Sequence, residues 1–336
     1  MIGSTVVSRL RSPVALVLVG LAVLLLLAGI VGHTGDGAPR AAAAASGDDG
    51  IATGLPAADP PPYDVAPAPP PIPRKPGLPG GGLQVFGHRN FLVAYYGTAQ
   101  TGSMGVLGAT DPDTMQRRLM RAALPFREPG ERIQPVYELI VTVADRSAGP
   151  DRDYSHDIPR ALVEEYVRAA HRNGALLLLD LQTGRAPFPE VARRWAWALK
   201  DPWVGLALDP EWRMKRHQVP ASVIGSVTAD EVNRTSLWLS RLVEREGLPQ
   251  KLFVLHQFRL SMMPDIERIV PRPGLAMVQH TDGFGSRGQK LATYHAIARP
   301  QQFRQGFKLF YHWDQHRFTP QEVRRIRPAV SFVSYQ

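Results

Sequence analysis

The sequence contains no cysteine, and this absence excludes several kinds of site. A chain without thiols forms no disulfide, no zinc–thiolate centre and no lipid anchor on an N-terminal cysteine. Its formal net charge is +9, yet lysine and arginine form no dense run or basic arm. The scattered positive charge therefore favours anionic wall polymers or a membrane surface, and not nucleic acid, as the partner.

Two further absences argue against a metal site and against a dinucleotide cofactor. No His-x-His pair follows the first predicted strand and no predicted helix carries a histidine pair, so common ligand patterns of a catalytic metal are missing. The glycine-rich residues 102–108 lack dinucleotide spacing, and no acidic residue follows where a ribose contact would be. The sequence predicts no metal site and no cofactor.

Residues 1–32 have the pattern of an export signal. Arg9 and Arg11 precede an almost uninterrupted apolar run over residues 13–32. Such a run exceeds the ~7–15 residues of a secretory h-region and reaches the ~18–20 of a membrane span, which favours an uncleaved anchor. The arginines would stay in the cytoplasm. Cleavage within residues 41–45 is the alternative, and both predict an extracytoplasmic domain, membrane-anchored or secreted to the cell wall.

Residues 33–88 are rich in glycine, alanine and proline and carry too few apolar residues for a core. This composition is typical of a disordered, partly polyproline linker. The sequence thus divides into a signal anchor or signal peptide at 1–32, a linker at 33–88 and a folded domain at 89–336.

Eight short apolar runs alternate with helical stretches in the folded domain. The runs cover residues 91–96, 135–143, 175–181, 204–208, 251–257, 275–280, 307–313 and 329–335. They are apolar on both faces, as parallel strands buried beneath helices are. Eight repeats over this length predict an α/β fold, the (β/α)₈ TIM barrel, and favour it over an open doubly wound sheet.

Helix signals fill the intervals between the runs. Asp111-Pro112 supplies an N-cap and a first-turn proline for a helix ending at residue 123. Gly174 predicts the end of a helix over residues 160–173. Thr228 and Glu231 form the pattern of a capping box, and residues 188–199 predict one continuous amphipathic helix.

Nearly every predicted strand ends in polar or aromatic side chains. In barrels of this kind the site is built at the C-terminal ends of the strands. The candidates for binding a substrate there are Tyr96, Glu138, Asp180, Gln182, Trp212, His256, Gln257, Gln279, Asp282, Tyr311 and Trp313. Taken singly, each residue is equally consistent with a buried structural role or with packing at the rim.

Asp209 and Glu211 follow directly on the apolar run 204–208. Side chains two apart on a strand point the same way, roughly 6–7 Å apart, which predicts that these carboxylates share one face. Two nearby carboxylates cannot ionise independently, so one is pushed towards being an acid at neutral pH. Cleavage of a sugar–sugar bond requires such an acid; a solvated loop with two surface acids is the alternative.

Residues 204–211 read VGLALDPE, which resembles the Asp-Gly-x-Asp-x-Asp-x-Glu motif of family 18 chitinase-type glycosidases. Gly205, Asp209 and Glu211 match the motif, whereas Val204 and Ala207 replace two of its acids. The Asp-x-Glu pair is also similar to the fourth-strand pair of family 25 lysozyme-type barrels. The resemblance implies that Glu211 is the proton donor and that Asp209 supports it, in family 18 by orienting the N-acetyl group of the substrate.

We therefore expect an exported glycoside hydrolase-like barrel, from a high-GC bacterium by its composition, that acts on a carbohydrate polymer of the cell envelope. Peptidoglycan or another N-acetylhexosamine polymer is the expected substrate, with Glu211 as general acid and Asp209 as its assistant. Asp314, at the seventh strand, is a second candidate for the nucleophile. A non-catalytic glycan-binding or wall-organising barrel and a metal-dependent hydrolase are the alternatives.

Overall fold

The computed structural model describes residues 76–336, in which eight parallel strands form a closed barrel. The strands are β1 (Asn90–Gly97), β2 (Arg132–Ala144), β3 (Ser155–Asp157), β4 (Leu176–Leu181), β5 (Val204–Leu208), β6 (Lys251–Gln257), β7 (Leu275–Thr281), β8 (Arg304–Leu309) and β9 (Val330–Tyr335). All but the short β3, which runs antiparallel to the end of β2, belong to the barrel. Because β1 pairs with both β2 and β9, the sheet closes, and the predicted TIM-like α/β barrel is confirmed.

Helices surround the barrel at most of the expected positions. They are α1 (Pro112–Ala123), α2 (Arg160–Asn173), α3 (Phe188–Arg194), α4 (Ala196–Leu199), α5 (Ala229–Arg245), α6 (Arg287–Ile297) and α7 (Pro320–Arg325). The Asp111 side chain caps α1, and Gly174 ends α2 with a φ of 62°, both as predicted. Between β6 and β7 two short 3₁₀ turns, Leu260–Met262 and Ile266–Arg268, stand where a regular barrel has a helix.

Two helix predictions are wrong in detail. The helix expected over residues 188–199 divides at Trp195, which is 3 % exposed and donates its indole N–H to Thr142 Oγ1 at 3.0 Å. Only half of the expected capping box forms, because Thr228 accepts from the backbone N–H of Glu231 but receives nothing from its side chain. The Glu231 carboxylate instead pairs with Arg213 at 2.8 Å and accepts from the backbone N–H of Phe188.

The strand expected over residues 307–313 is displaced towards the N-terminus. β8 ends at Leu309, and the Asp314 carboxylate accepts the backbone N–H of Phe310 at 3.0 Å, which holds the following residues in a turn. Tyr311 and Trp313 therefore lie in the loop after β8.

The lower layers of the barrel interior are apolar. They are formed by Leu92, Ala94, Val136, Leu176, Leu178, Ala207, Leu252, Val254, Ala276, Val278 and Phe332. Leu78 and Val85 pack against this cluster from the segment before β1, and Trp203 donates its indole N–H to Gly77 O at 2.9 Å. The last residues of the predicted 33–88 linker thus pack on the barrel.

The rest of that linker and the predicted span at 1–32 lie outside the described residues. Within residues 76–336, no helix combines the length and the apolar character that crossing a membrane requires.

The glycines after β1 allow close contact between loop and strand. Gly105 has a φ of 140°, and a Cβ at this position would lie 2.2 Å from the carbonyl oxygen of Tyr96. At Gly108 a Cβ would lie 1.9 Å from the carbonyl oxygen of Thr98. The glycine-rich loop is therefore built against the C-terminal end of β1 and determines where that end lies.

Gly105→Ala should lower the free energy of unfolding by about 2–4 kcal/mol, from an unfavourable φ and a backbone collision. Gly288→Ala, in α6 with no atom within 4 Å of the new Cβ, is the matched control and should be neutral or slightly stabilising. Urea unfolding of both variants measures the difference. Equal stability of the two would contradict a requirement for close approach at Gly105.

Candidate functional site

A layer of polar side chains fills the barrel interior at the C-terminal ends of the strands. Each barrel strand contributes one residue, in strand order Tyr96, Glu138, Asp180, Asp209, His256, His280, Lys308 and Ser334, and none is more than 2 % exposed. We call this set the polar layer. Its members continue the inward-facing series of each strand, as His256 follows Val254 by two residues, so strand alternation brings them together.

His256 lies between carboxylates on both sides of its ring. Its Nε2 is 3.0 Å from Glu138 Oε1, and its Nδ1 is 3.1 Å from Asp282 Oδ2. The angles are not those of linear hydrogen bonds, so these contacts are ion pairs. Burial alone would lower the pKa of His256, but Glu138 and Asp282 outweigh it and raise this pKa well above its usual value. His256 is therefore an imidazolium.

Lys308 supplies the second buried cation. Its Nζ lies 3.0 Å from both carboxylate oxygens of Asp282 and 3.4 Å from the centre of the Tyr96 ring. Burial opposes the charge of Lys308, yet the Asp282 and Glu138 carboxylates raise its pKa. Burial likewise opposes the charge of Asp282, but Lys308 and His256 lower its pKa. Asp282 is thus held ionised between two cations.

Asp180 is hydrogen-bonded on the other side of the layer. The Tyr96 hydroxyl donates to Asp180 Oδ2 at 2.9 Å, and Gln182 Nε2 donates to the Tyr96 oxygen at 3.2 Å. Burial raises the pKa of Asp180 to about 6, with Glu138 adding to the shift and His256 opposing it. Asp180 therefore exchanges a proton just below neutral pH.

Asp209 and Glu211 do not share the face of a strand, and that expectation is wrong. β5 ends at Leu208, and a 3₁₀ turn, Pro210–Trp212, follows because proline fixes φ and offers no N–H to the sheet. Asp209 enters the polar layer, whereas Glu211 is only half-buried. The Asp209 Oδ1 atom has no hydrogen-bond partner within residues 76–336.

Both carboxyl groups bind protons unusually tightly. Burial and the neighbouring Asp180 raise the pKa of Asp209 well above its usual range. Burial and the Asp282 carboxylate raise the pKa of Glu211 to about 7. Near neutral pH, Glu211 is thus a partly protonated carboxyl that reaches solvent above a charged interior.

The turn that carries Glu211 is held firmly. The carbonyl oxygen of Glu211 accepts the backbone N–H of Gly225 at 2.7 Å, and the backbone N–H of Met214 donates to the carbonyl oxygen of Gly184 at 2.7 Å. The Arg213 guanidinium pairs with Glu231 of α5 and also donates to two carbonyl oxygens. The backbone at Glu211 is therefore held by the loops on both sides.

Gln257 and Gln279 do not join the polar layer. Each is one residue from an inward-facing histidine and so faces the surrounding helices. Gln279 Nε2 donates to Gln257 Oε1 at 2.7 Å and to Ile297 O at 2.8 Å, and its Oε1 accepts the N–H of Arg299. Their amides connect the sheet to the end of α6.

Asp314 is also placed apart from Asp209 and Glu211. Its Oδ1 lies 2.9 Å from Lys290 Nζ, and both side chains are at most 2 % exposed. Lys290 donates in addition to the carbonyl oxygens of Gly283 and Lys308. The Asp314–Lys290 pair connects α6 to the loop after β8, which gives Asp314 a structural role in this geometry.

Aromatic side chains stand at the rim above the polar layer. Tyr311 stacks on Tyr335 with 5.2 Å between ring centres, while Trp212 is half-buried on the 3₁₀ turn. Trp313 is 52 % exposed and lies 6.1 Å from the ring of Phe284, which is 43 % exposed. Trp313 and Phe284 form an accessible aromatic pair.

Sequence reasoning missed Lys308, Ser334 and Phe284, and it did not include His280 among the candidates. The signal for Lys308 was a single lysine between Phe307 and Leu309, in a run that is otherwise apolar. A lysine in such a position needs a buried counter-ion, which only the structure identifies as Asp282.

The sequence matches no protein-family model, and a search of curated proteins finds no relative. In the part of the chain that the structure covers, no three or more histidine, aspartate or glutamate side chains are grouped as metal ligands.

Proposed function

We propose that the barrel is a glycoside hydrolase that cleaves an N-acetylhexosamine polymer of the cell envelope, with Glu211 as general acid. One observation carries the proposal: Glu211 is half-buried at the C-terminal end of the barrel, and its pKa is raised to about 7. A general acid must hold its proton at working pH and still reach the leaving oxygen. Glu211 meets both conditions, whereas Glu138, Asp180 and Asp209 are fully buried.

Asp209 is the proposed assistant. Burial and Asp180 raise the pKa of Asp209, and its Oδ1 lacks a hydrogen-bond partner within the described residues. Asp209 is 2 % exposed, so contact with a substrate amide requires the loops above it to open. Ala207 stands where the resembling family 18 motif has an acid. Asp180 is the register partner of Ala207 on the neighbouring strand and supplies a carboxyl beside that position. The missing motif acid is thus replaced from β4.

The rim supports a polymeric substrate. The exposed faces of Trp313 and Phe284 offer flat apolar surfaces on which sugar rings can stack, outside the enclosed polar layer. An export signal in residues 1–32 would deliver the barrel to the cell envelope. The protein would be either anchored in the membrane by one span or secreted to the cell wall.

The pH dependence of hydrolysis tests the role of Glu211. Since the general acid must be protonated, kcat/KM should fall as the pH rises through about 7. The measurement is release of reducing ends from peptidoglycan and from chito-oligosaccharides by the full chain between pH 4 and 9. Activity that increases as the pH rises through this range would contradict Glu211 as the acid.

A non-catalytic glycan-binding barrel is the second candidate. It is favoured by the enclosure of Asp209, which is 2 % exposed, and by the two acids that Val204 and Ala207 replace. Saturable binding of the same polymers without release of reducing ends at any pH, and unchanged in Glu211→Gln, would decide for it.

A further inference from the structure

A cavity of about 300 Å³ opens at the opposite end of the barrel from the polar layer. Its apolar lining residues include Leu275, Ala276 and Met277 at the start of β7. Phe86, Arg272 and Arg304 line it as well. The cavity lies where the described chain enters the barrel, since Leu78 and Val85 pack at the same end.

Two unpaired guanidinium groups face this cavity. No acidic residue lines it, and in residues 76–336 neither Arg272 nor Arg304 forms an ion pair. The Arg272 Nε atom is buried without a hydrogen-bond partner in this part of the chain. Arg304 lies over the Phe86 ring, 4.6 Å from its centre, which fixes the guanidinium at the cavity wall. The Arg304 side chain is exposed and that of Arg272 is half-buried, so both positive charges are accessible to a ligand in the cavity. The buried Arg272 Nε–H is a donor that such a ligand would satisfy.

Two glutamines that line the cavity form hydrogen bonds to the neighbouring chain segments. Gln250 Oε1 accepts the backbone N–H of Val85 at 3.0 Å, and Gln302 Nε2 donates to the carbonyl oxygens of Ile266 and Ile269. These contacts join the segment before β1 to the start of β6, and the loop before β8 to the loop before β7. The cavity is therefore a built feature of the fold.

We propose that this cavity binds a phosphate monoester. One guanidinium fork satisfies a carboxylate, which has two oxygens and one charge. A phosphate group carries about −1.5 to −2 charges and three acceptor oxygens, which suits two arginines that approach from different walls. The apolar lining residues then contact the carbon portion of the ester. A soluble phosphate monoester and the headgroup of phosphatidic acid both present this chemistry, and the proposal is independent of glycan hydrolysis.

Calorimetric titration of the full chain with glycerol 3-phosphate tests the site. Arg272→Gln and Arg304→Gln should each weaken binding about tenfold, since each removes charge-assisted hydrogen bonds, and the double variant should lose binding. Arg121→Gln, an exposed position on α1, makes the same charge change outside the cavity and should leave the affinity unaltered. Equal far-UV circular dichroism checks that all variants fold.

Co-sedimentation with vesicles distinguishes the two sources of phosphate. A preference for phosphatidic acid over phosphatidylcholine vesicles that the double variant loses, without binding of glycerol 3-phosphate, assigns a lipid headgroup. Binding of glycerol 3-phosphate that the double variant loses assigns a soluble ester. If neither glycerol 3-phosphate nor phosphatidic acid vesicles bind the natural chain more tightly than the double variant, the proposal is overturned.

Discussion

Replacing Glu211 by glutamine should reduce glycan hydrolysis by roughly 10²–10⁴-fold, the usual contribution of general acid–base catalysis. The amide has the shape of the protonated carboxyl but cannot transfer its proton. Because the pKa of Glu211 is raised to about 7, the natural side chain is already largely neutral at pH 5. The variant should therefore keep the contacts of the natural protein and fold normally.

Glu244→Gln is the control for this loss. Glu244 is exposed on α5, so the substitution makes the same chemical change away from the barrel interior. The hydrolysis rates of Glu244→Gln on peptidoglycan and on chito-oligosaccharides should equal those of the natural protein. The rates of Glu211→Gln should fall by the factor given above. Normal turnover in Glu211→Gln would remove Glu211 from the mechanism.

Stability against pH provides an independent measurement on the same variant. The pKa of Glu211 is raised on folding, so its stabilising contribution is complete below about 4.5 and is lost as the pH rises through about 7. The free energy of unfolding in urea should therefore fall more between pH 5 and pH 7.5 in the natural protein than in Glu211→Gln. Parallel curves would show that Glu211 titrates alike in the folded and unfolded chains.

Replacing Lys308 by methionine should lower the free energy of unfolding by about 3–5 kcal/mol, the cost of breaking a buried ion pair from one side. Lys308 is 1 % exposed, and its Nζ contacts both oxygens of Asp282. Without this cation, His256 alone balances the Asp282 and Glu138 carboxylates in an interior from which water is excluded. Part of the loss will be relieved by proton uptake, so the destabilisation should be smaller at pH 5 than at pH 8.

Two further variants show whether the pairing itself is responsible. Lys200→Met, at a position whose side chain is 55 % exposed and lies 3.5 Å from Glu246, should cost less than about 1 kcal/mol. Adding Asp282→Asn to Lys308→Met removes the stranded carboxylate and should recover part of the stability. A loss below 1 kcal/mol in Lys308→Met, or additive losses in the double variant, would show that the pair is dispensable.

The strands were predictable because their signals are local. Apolar runs bounded by turn residues gave residues 204–208 and 251–257 the bounds that β5 and β6 have. The same rule located Glu138, Asp180 and His256, since polar residues at strand ends are conspicuous in apolar runs. Their convergence in one layer follows from closure of the barrel.

Whether a side chain at a strand end points into the barrel or towards the helices was not predictable from its position at the strand end alone. His256 and Gln257 are neighbours, yet one enters the polar layer and the other faces the helices. Which of the two points inward depends on the register of β6 against the neighbouring strands. That register is a property of the tertiary structure. The ion-pair partners were equally unpredictable from the sequence. Lys308 and Asp282 lie on different elements of the fold, and Asp314 is paired with a lysine of α6.

The strand-by-strand origin of the polar layer bears on how the chain reaches its fold. The first four barrel strands contribute Tyr96, Glu138, Asp180 and Asp209, and the last four contribute His256, His280, Lys308 and Ser334. Within the layer, the carboxyl groups therefore come from the N-terminal half, whereas the two histidines and the lysine come from the C-terminal half. An N-terminal half-barrel alone would hold Glu138 without its partner His256. This ion pair forms only after β6 has been synthesised and has joined the sheet.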